Sequence, residues 1–484
     1  MESIWSKTCN IPPRGALRGN VETEVAVIGA GMAGLLTAAA LQKAGKQVVV
    51  LEANRIGSGQ TRYTTAKITA QHGLFARKRI QALGEDRARR YASANLAAVE
   101  AYRALIRAEG IDCELEETNA YVYGDDRRQL EQEAEAEARL GLPASLVRDP
   151  DIPGGAAWAV RVERQAQFHP LKFLKAVSEP LTIYEATPVR RVEHHRLLTA
   201  SGTVRAEHVV FACHYPFVNF PGLYFARVHQ ERSYVLALEN ARCPDGIWIG
   251  AESGGYSFRR YGDLLLLGGG GHRTGENHAG GHYEALRMQA ARWFPDSREA
   301  AHWSAQDCMT ADGAPYIGPY AKSRPYWYVA TGFEKWGMTG SMVSATLLCD
   351  RICGRENPYA EVFTPGRLDA EAVRAIAGEG GHAIKGLTKQ LLQLPTEQAE
   401  QLPRGHGGIV RLHGKKAGVY KDENGVIHAV DVRCPHLGCQ LEWNPDEKSW
   451  DCPCHGSRFD FRGKLISGPA QNELKWPCAQ STDF

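Results

Sequence analysis

Three glycines, Gly29, Gly31 and Gly34, stand between two short apolar runs, and this arrangement limits the fold more than any other stretch of the chain. Val25-Ala-Val-Ile-Gly29 reads as a buried strand and Met32 to Gln42 as a helix of small residues ended by Gly45. Gln47-Val-Val-Val-Leu-Glu52 reads as the next strand. Strand, helix and strand in that order form a β-α-β unit, whose parallel strands require helices on the faces of a sheet. Gly29 permits the tight turn, Gly31 lets backbone approach a pyrophosphate, and Gly34 lets helix and strand pack closely. The phosphate then sits at a helix N-terminus, where unpaired N–H groups and the dipole favour anions. Glu52 ends the second strand and can accept from ribose hydroxyls. The glycine pattern alone would be weak; with strand, helix, strand and acid together it marks a dinucleotide site.

At 484 residues the chain has room for two to four domains. Its 57 basic and 55 acidic residues leave a net charge of +2, so no global field points to nucleic acid or to a membrane surface. No apolar run approaches the roughly 18 residues a membrane helix needs. Met1–Asn20 lacks a basic region followed by an apolar stretch and reads as a surface arm, not a secretory signal. The expectation is a cytoplasmic protein with neither a nucleic-acid nor a membrane partner. Residues 79–141 read as helical and charged, with Asp126 to Leu140 a solvated helix face. Strands are expected at Val204–Ala212, Leu264–Leu267 and Tyr326–Ala330, with Gly268–Gly271 breaking the sheet pattern. Residues 357–405, with Pro365, Pro395, Pro403 and a glycine run at Gly378–Gly381, read as a connecting segment holding one or two helices. From Ile409 onward, short strands alternate with glycine turns, which predicts a small all-β domain.

Five of the twelve cysteines fall between Cys434 and Cys478. In a cytosolic chain, clustered Cys with His suggests a metal site before a disulfide framework. Cys434-Pro-His436-Leu-Gly-Cys439 and Cys452-Pro-Cys454-His455-Gly-Ser457 bring two Cys-plus-His pairs on two similar loops. Thiolates suit the irons of a cluster, while imidazoles on one iron raise its potential above that of a four-Cys cluster. Imidazole ligation also leaves protonatable nitrogens, so electron transfer can couple to protons. The competing reading is a zinc ribbon, which would want two Cys-x₂₋₄-Cys knuckles; Cys434-x-His436 is tighter than that.

Residues 406–484 resemble the Rieske family. The resemblance implies that Cys434, His436, Cys452 and His455 hold a 2Fe–2S cluster. It further implies a disulfide between Cys439 and Cys454, which occupy the positions that clamp the two loops in the high-potential branch. One position departs from that branch: many members have Ser, any residue, then Tyr after the last His-Gly, and here Ser457 is followed by Phe459. A serine hydroxyl can donate to a cluster sulfur and favour the reduced state, whereas phenylalanine has no donor. An intermediate potential is expected, below that of a Ser-plus-Tyr site.

Val209-Val-Phe-Ala-Cys213, Asp312-Gly-Ala-Pro-Tyr-Ile-Gly318 and Thr331-Gly-Phe-Glu-Lys-Trp-Gly337-Met-Thr-Gly340 are further motifs, and Gly57 to Lys67 is a segment of small and hydroxyl residues. With the glycine unit they make residues 20–360 resemble the D-amino-acid-oxidase-like, or glycine-oxidase-like, FAD superfamily. The implied fold is α/β. A Rossmann-like FAD-binding domain would take about 20–75, 180–225 and 305–356, and a mixed α+β substrate domain about 76–179 and 226–304. A linker at 357–405 and the small all-β Rieske domain at 406–484 would follow. The resemblance implies FAD contacts from Gly29, Gly31, Gly34 and Glu52, from Ser58, Gly59, Thr61, Thr65 and Lys67, from Val189, and from Gly332, Gly337, Met338 and Thr339. A helix from Met338 to Cys353 would turn its positive end to the flavin and stabilise negative charge there.

Leu267-Gly-Gly-Gly-Gly-His-Arg-Thr-Gly275 does not fit a second nucleotide motif, so no NAD site is expected. His272 and Lys335 are the catalytic candidates, each with a plain surface reading beside it. Arg259, Arg260 and Arg273 could hold a substrate carboxylate through a bidentate fork. The combined expectation is an FAD-dependent dehydrogenase of an amine or amino acid that passes electrons to the Rieske cluster and on to an external acceptor. The alternative is a flavin/Rieske electron-transfer module or redox sensor serving a partner enzyme.

Overall fold

The computed structural model describes residues 2–148, 154–242, 244–252, 254–367, 395 and 398–475. Val21–Ile28 runs through the middle of an eight-stranded sheet. Its parallel neighbours are Thr203–Phe211 on one side and Val48–Leu51 on the other. Arg324–Thr331 and Thr182–Tyr184 extend the parallel set, and Tyr316–Ala321 closes one edge antiparallel. Val25, Ala26 and Val27 are wholly buried, as a parallel strand covered on both faces requires. The helix Met32–Lys43 packs against the helix Gly337–Ile352, and small residues on both allow close approach. Gly34 is fixed by contact: a Cβ there would lie 1.9 Å from the Gly29 carbonyl oxygen.

A nine-stranded sheet stands beside the first, with Arg298–Thr310, Val228–Glu239 and Leu264–Arg273 paired in that order. Two expectations are corrected here. Residues 79–141 are not helical throughout. Between the helices Glu85–Ala108 and Arg127–Arg139 lies the strand Glu116–Gly124, which pairs with Trp158–Gln167 and Ile247–Gly250. Its signal is the short alternation Ala120-x-Val122, both wholly buried, hidden among charged neighbours. Nor does Gly268–Gly271 break the sheet. The strand Leu264–Arg273 runs through these glycines, with Gly268 opposite Val235 and Gly269 opposite Tyr234. A bulge between Arg232 and Tyr234 takes up Gly270, whose φ of +69° suits glycine.

Beyond Ile352 the described residues hold one short helix, Ala360–Phe363, and a single 3₁₀ turn, Ala399–Gln401. The glycine run at Gly378–Gly381 lies outside the described residues. The C-terminal part has a three-stranded sheet, His406–Leu412, Lys415–Lys421 and Ile427–Val430, and a four-stranded sheet from Glu442 to Ser467. Its core joins Tyr420, Leu441, Trp443, Trp450 and Phe459 to Cys434, Cys439, Cys452 and Cys454. Among the described residues no helix is long and apolar enough to cross a membrane.

Candidate functional site

The two Cys–His loops repeat one backbone geometry. Cys434 N–H donates to the Cys439 carbonyl at 2.9 Å and Gly438 N–H to the Cys434 carbonyl at 2.9 Å. In the second loop Cys452 N–H donates to the Ser457 carbonyl at 2.8 Å and Gly456 N–H to the Cys452 carbonyl at 2.9 Å. Each turn needs a glycine four residues after its cysteine, with φ of +84° at Gly438 and +76° at Gly456. The Cys434 and Cys452 side chains are buried, and His436 Nδ1 faces His455 Nδ1 across 3.3 Å. Cys439 and Cys454 are joined as a disulfide, with Cα atoms 6.6 Å apart. The sulfurs of Cys439, Cys452 and Cys454 lie within 4.8 Å of one another, but the disulfide occupies two of them. Two thiols and two imidazoles then remain, the donor set of a Rieske 2Fe–2S cluster. Contact with Cys452 holds the Cys434 thiol below its ordinary value, and a hydrogen bond from the Ser457 hydroxyl adds to this. Ser457 Oγ also accepts from Ala470 N–H at 2.9 Å. Phe459 is wholly buried opposite Trp450 and offers no donor.

A cleft of about 1170 Å³ runs from the glycine turn to the N-terminus of the helix Gly337–Ile352. At the first end, Glu52 Oε2 accepts from Ala30 N–H at 2.7 Å and Oε1 from Asn54 N–H at 2.8 Å. Burial raises its carboxyl above the ordinary value. Thr61 Oγ1 accepts from Met32 N–H at 3.1 Å and so ties the hydroxyl segment to the helix N-terminus. At the second end, Lys335 Nζ lies 3.3 Å from Glu231 Oε2. Burial pushes Asp307 up to about 6. Burial, and then the charge of Arg259, push Lys67 down to about 7. The glycine cradle, the acid at the strand end and the second helix N-terminus fit a bound FAD.

Gly29, Gly31, Glu52, Ser58, Gly59, Thr61, Thr65, Lys67, Val189, Gly337 and Met338 all line this cleft, as do His272 and Lys335. Three expected contacts do not. Gly34 serves the packing of helix on strand. Gly332 abuts Thr310, whose Cγ2 would lie 2.2 Å from an added Cβ. The Thr339 hydroxyl is turned inward, donating to the Thr69 carbonyl at 3.3 Å. His272 is placed at the wall, but its ring nitrogens are taken. Nδ1 donates to the Arg273 carbonyl at 2.8 Å and Nε2 accepts from the Tyr234 hydroxyl at 3.0 Å. These two bonds fix the orientation of the His272 ring at the cleft wall. The three arginines are corrected, since none lines the cleft. Arg259 is buried and donates to the Thr65 and Phe168 carbonyls, exposed Arg260 pairs with Asp245, and Arg273 donates to the Pro453 carbonyl.

The C-terminal domain is seated on the second sheet and completes the cleft, whose wall includes residues 464–471. Arg232 and Glu447 form an ion pair at 2.5 Å with side chains only 2% and 3% exposed. Arg458 reaches Glu447 and Asp451, each at 2.9 Å. Burial alone would raise the Glu447 carboxyl, but the charges of Arg232 and Arg458 overrule it and hold it at about 2. Asn277 bridges to Asn444 at 3.1 Å and to Asp446 at 2.9 Å. Sequence reasoning missed this interface, along with the cleft residues His214, Tyr215 and Gln306. The repeated Cys-x₃-Gly spacing of the two loops was a readable signal; the interface residues carry none.

Comparison with known proteins agrees with this geometry. The FAD dependent oxidoreductase family model matches residues 24–351, and the Rieske [2Fe-2S] domain model matches residues 393–477. YhfW of Bacillus subtilis, which bears the name of a Rieske 2Fe-2S iron-sulfur protein, is 38% identical, with 98% of this chain and 97% of that protein covered. Among solved structures, glycine oxidase from Geobacillus kaustophilus is similar with a TM-score of 0.62 at 20% identity, covering 72% of this chain and 100% of that one. L-proline dehydrogenase from P. horikoshii is similar with a TM-score of 0.61 at 18% identity, covering 72% and 98%. These two likenesses establish the fold. The chain belongs to the FAD dependent oxidoreductase family and ends in a Rieske domain, so FAD and a 2Fe–2S cluster are its cofactors.

Proposed function

We propose that the chain is a dehydrogenase of an amine or amino acid whose electrons leave through the Rieske cluster to an external one-electron acceptor. The observation that carries this reading is continuity. Residues 464–471 of the Rieske domain wall the same cleft as Gly29, Glu52 and Gly337. FAD supplies two-electron hydride acceptance, and the cluster stores one electron. Oxidation of an amine to an imine breaks one C–H and one N–H bond and releases two electrons and two protons. Two acceptor molecules are therefore reduced for each substrate oxidised.

The chain's own residues prepare this chemistry. Gly268, Gly269 and Gly271 line the cleft and let Ser257, Tyr256 and Lys335 pack against their backbone. Lys67 Nζ, held near 7, can accept the proton of a substrate ammonium at neutral pH. Glu231 and Lys335 pair across the cleft wall and give it a fixed dipole beside the helix N-terminus at Gly337. The test is an anaerobic titration of the holoprotein with a panel of amines and amino acids, following flavin absorbance and the electron paramagnetic resonance of the reduced cluster. A substrate should bleach the flavin and raise the cluster signal together. Bleaching with a cluster that stays oxidised refutes the relay; no bleaching across the panel refutes the amine substrate.

A further inference from the structure

The two cluster loops face different surroundings. His455 is 2% exposed and turned toward the FAD-binding part. Its ring stands edge-on to Tyr215 at 6.4 Å and to Phe225 at 6.1 Å, and its backbone carbonyl accepts from Gln230 Nε2 at 2.6 Å. His436 is half-buried, with exposed Pro435 and Leu437 on either side. Its Nε2 donates to Asn219 Oδ1 at 2.9 Å, and Phe220, next to Asn219, is 69% exposed.

The His455 side continues inward without a gap. Gln230 Oε1 meets His214 Nε2 at 3.0 Å and accepts from the Gln306 amide, whose Nε2 also donates to the Gly456 carbonyl at 2.8 Å. His214, Tyr215 and Gln306 all line the flavin cleft. One layer of side chains therefore joins the cleft wall to the second cluster loop. Its members are held in place. A Cβ at Gly456 would lie 2.7 Å from Gln230, so the loop passes as close as backbone allows. His214 has φ of +68°, a conformation that a non-glycine residue keeps only where the surroundings hold it. The Thr331 hydroxyl, donating to the His214 carbonyl at 2.5 Å, is one such restraint.

We infer that the cluster is wired asymmetrically: electrons enter at the His455 loop through Gln230 and its partners Gln306 and His214, and they leave at the His436 edge to the external acceptor. Gln230 is a positioning residue for the internal transfer. This rests on the flavin-to-cluster relay proposed above. Each passage moves one electron and reduces one Fe(III) to Fe(II). The one-electron acceptor then restores Fe(III), and two passages complete one substrate oxidation.

The test needs no substrate. In the anaerobic holoprotein, light with EDTA as sacrificial donor reduces the flavin, and freeze-quenched paramagnetic resonance follows the cluster. Gln230→Met keeps the volume and removes the hydrogen bonds. Cluster reduction should slow by about 10- to 100-fold, the range for groups that support metal ligands. Flavin bleaching, the cluster spectrum and reoxidation of the reduced cluster by ferricyanide should not change. Phe220→Ala, at the exposed His436 edge, should leave the internal rate unchanged. An unslowed Gln230→Met, or equal slowing in both variants, overturns the inference while the relay stands. If Gln230→Met loses its cluster, the same rates in Gln306→Met decide by the same criterion. Absence of any transfer in the wild-type protein overturns the relay, and this inference with it.

Discussion

Arg232→Met should detach the Rieske domain from the second sheet, and the structure sets the size of the effect. Arg232 Nη2 reaches both Glu447 oxygens, at 2.6 and 2.5 Å, and both side chains are almost fully shielded from water. Removing one partner of a buried ion pair costs about 3–5 kcal/mol, because the other charge stays buried. Arg458 remains 2.9 Å from Glu447, which argues for the lower end, about 3 kcal/mol. The carboxyl also makes the pair sensitive to acid. Its net fall from 4.5 to about 2, set by burial against Arg232 and Arg458 together, corresponds to roughly 3 kcal/mol at 1.36 kcal/mol per pKa unit. Because the folded value is depressed, this stability is fully present above about 4.5 and is lost as pH falls toward about 2. Denaturant unfolding followed by cluster absorbance, with limited proteolysis of the junction, measures it. Arg232→Met should unfold its Rieske domain earlier and show a weaker acid dependence between pH 5 and pH 2. A variant with the wild-type midpoint and acid dependence would refute the reasoning.

Ser457→Ala removes a hydroxyl donor to Cys434 and should lower the cluster midpoint by about 60 mV or more, since a hydrogen bond to a charged group contributes about 1.5 kcal/mol or more and 59 mV corresponds to about 1.4 kcal/mol for one electron. Phe459→Tyr should raise it, and a redox titration that shows no movement in either variant sinks the hydrogen-bond account. Gly34→Ala should yield protein without FAD, read from the flavin-to-protein ratio, because the added methyl would overlap the Gly29 carbonyl; Gly15→Ala, with nothing within 4 Å of its Cβ, should keep a full complement. Lys67→Met should abolish a limb near pH 7 in the profile of flavin reduction by substrate, below which the protonated wild-type lysine is inactive as a base. An unchanged profile removes Lys67 from the chemistry.

What could be read from the sequence was local. The glycine turn, the first parallel strands, the helix after Gly337 and the Cys–His loops each lie within a short stretch whose backbone demands leave a pattern, such as a positive φ at Gly456 or an apolar run at Val25–Ile28. The same locality explains the errors. The strand Glu116–Gly124 is buried only in its second half, from Ala120 on, and sits between charged helices, so the neighbouring composition outweighed it. Gly268–Gly271 looked like a turn because glycine is common in turns, but Gly268 is paired on both sides of its strand and Gly269 on one, and the bulge at Gly270 bends the strand without ending it. His272 lies where it was expected, yet its role depends on Tyr234, which is 38 residues away in the chain.

The junction between the two cofactor sites shows the limit most clearly. Gln230, Gln306, Asn219 and Arg232 are ordinary polar residues on two strands and a loop, and no spacing distinguishes them from a solvated face. They acquire meaning only when the second sheet brings Gln230 beside Gln306, with Glu231 opposite Asp307 and Arg232 opposite Gln306 in register. That register presents one edge of the sheet to the second cluster loop and leaves the first loop, at His436, near the surface. A cluster alone would have two equivalent imidazole edges. The sheet makes them unequal, because the His455 loop is hydrogen-bonded through its backbone carbonyls into a buried network, while the His436 edge is bordered by exposed Leu437 and Phe220. On the proposed relay, the direction of electron flow is a property of the docking and not of the ligand motif. A free Rieske domain cut from this chain would keep the ligands and lose the direction.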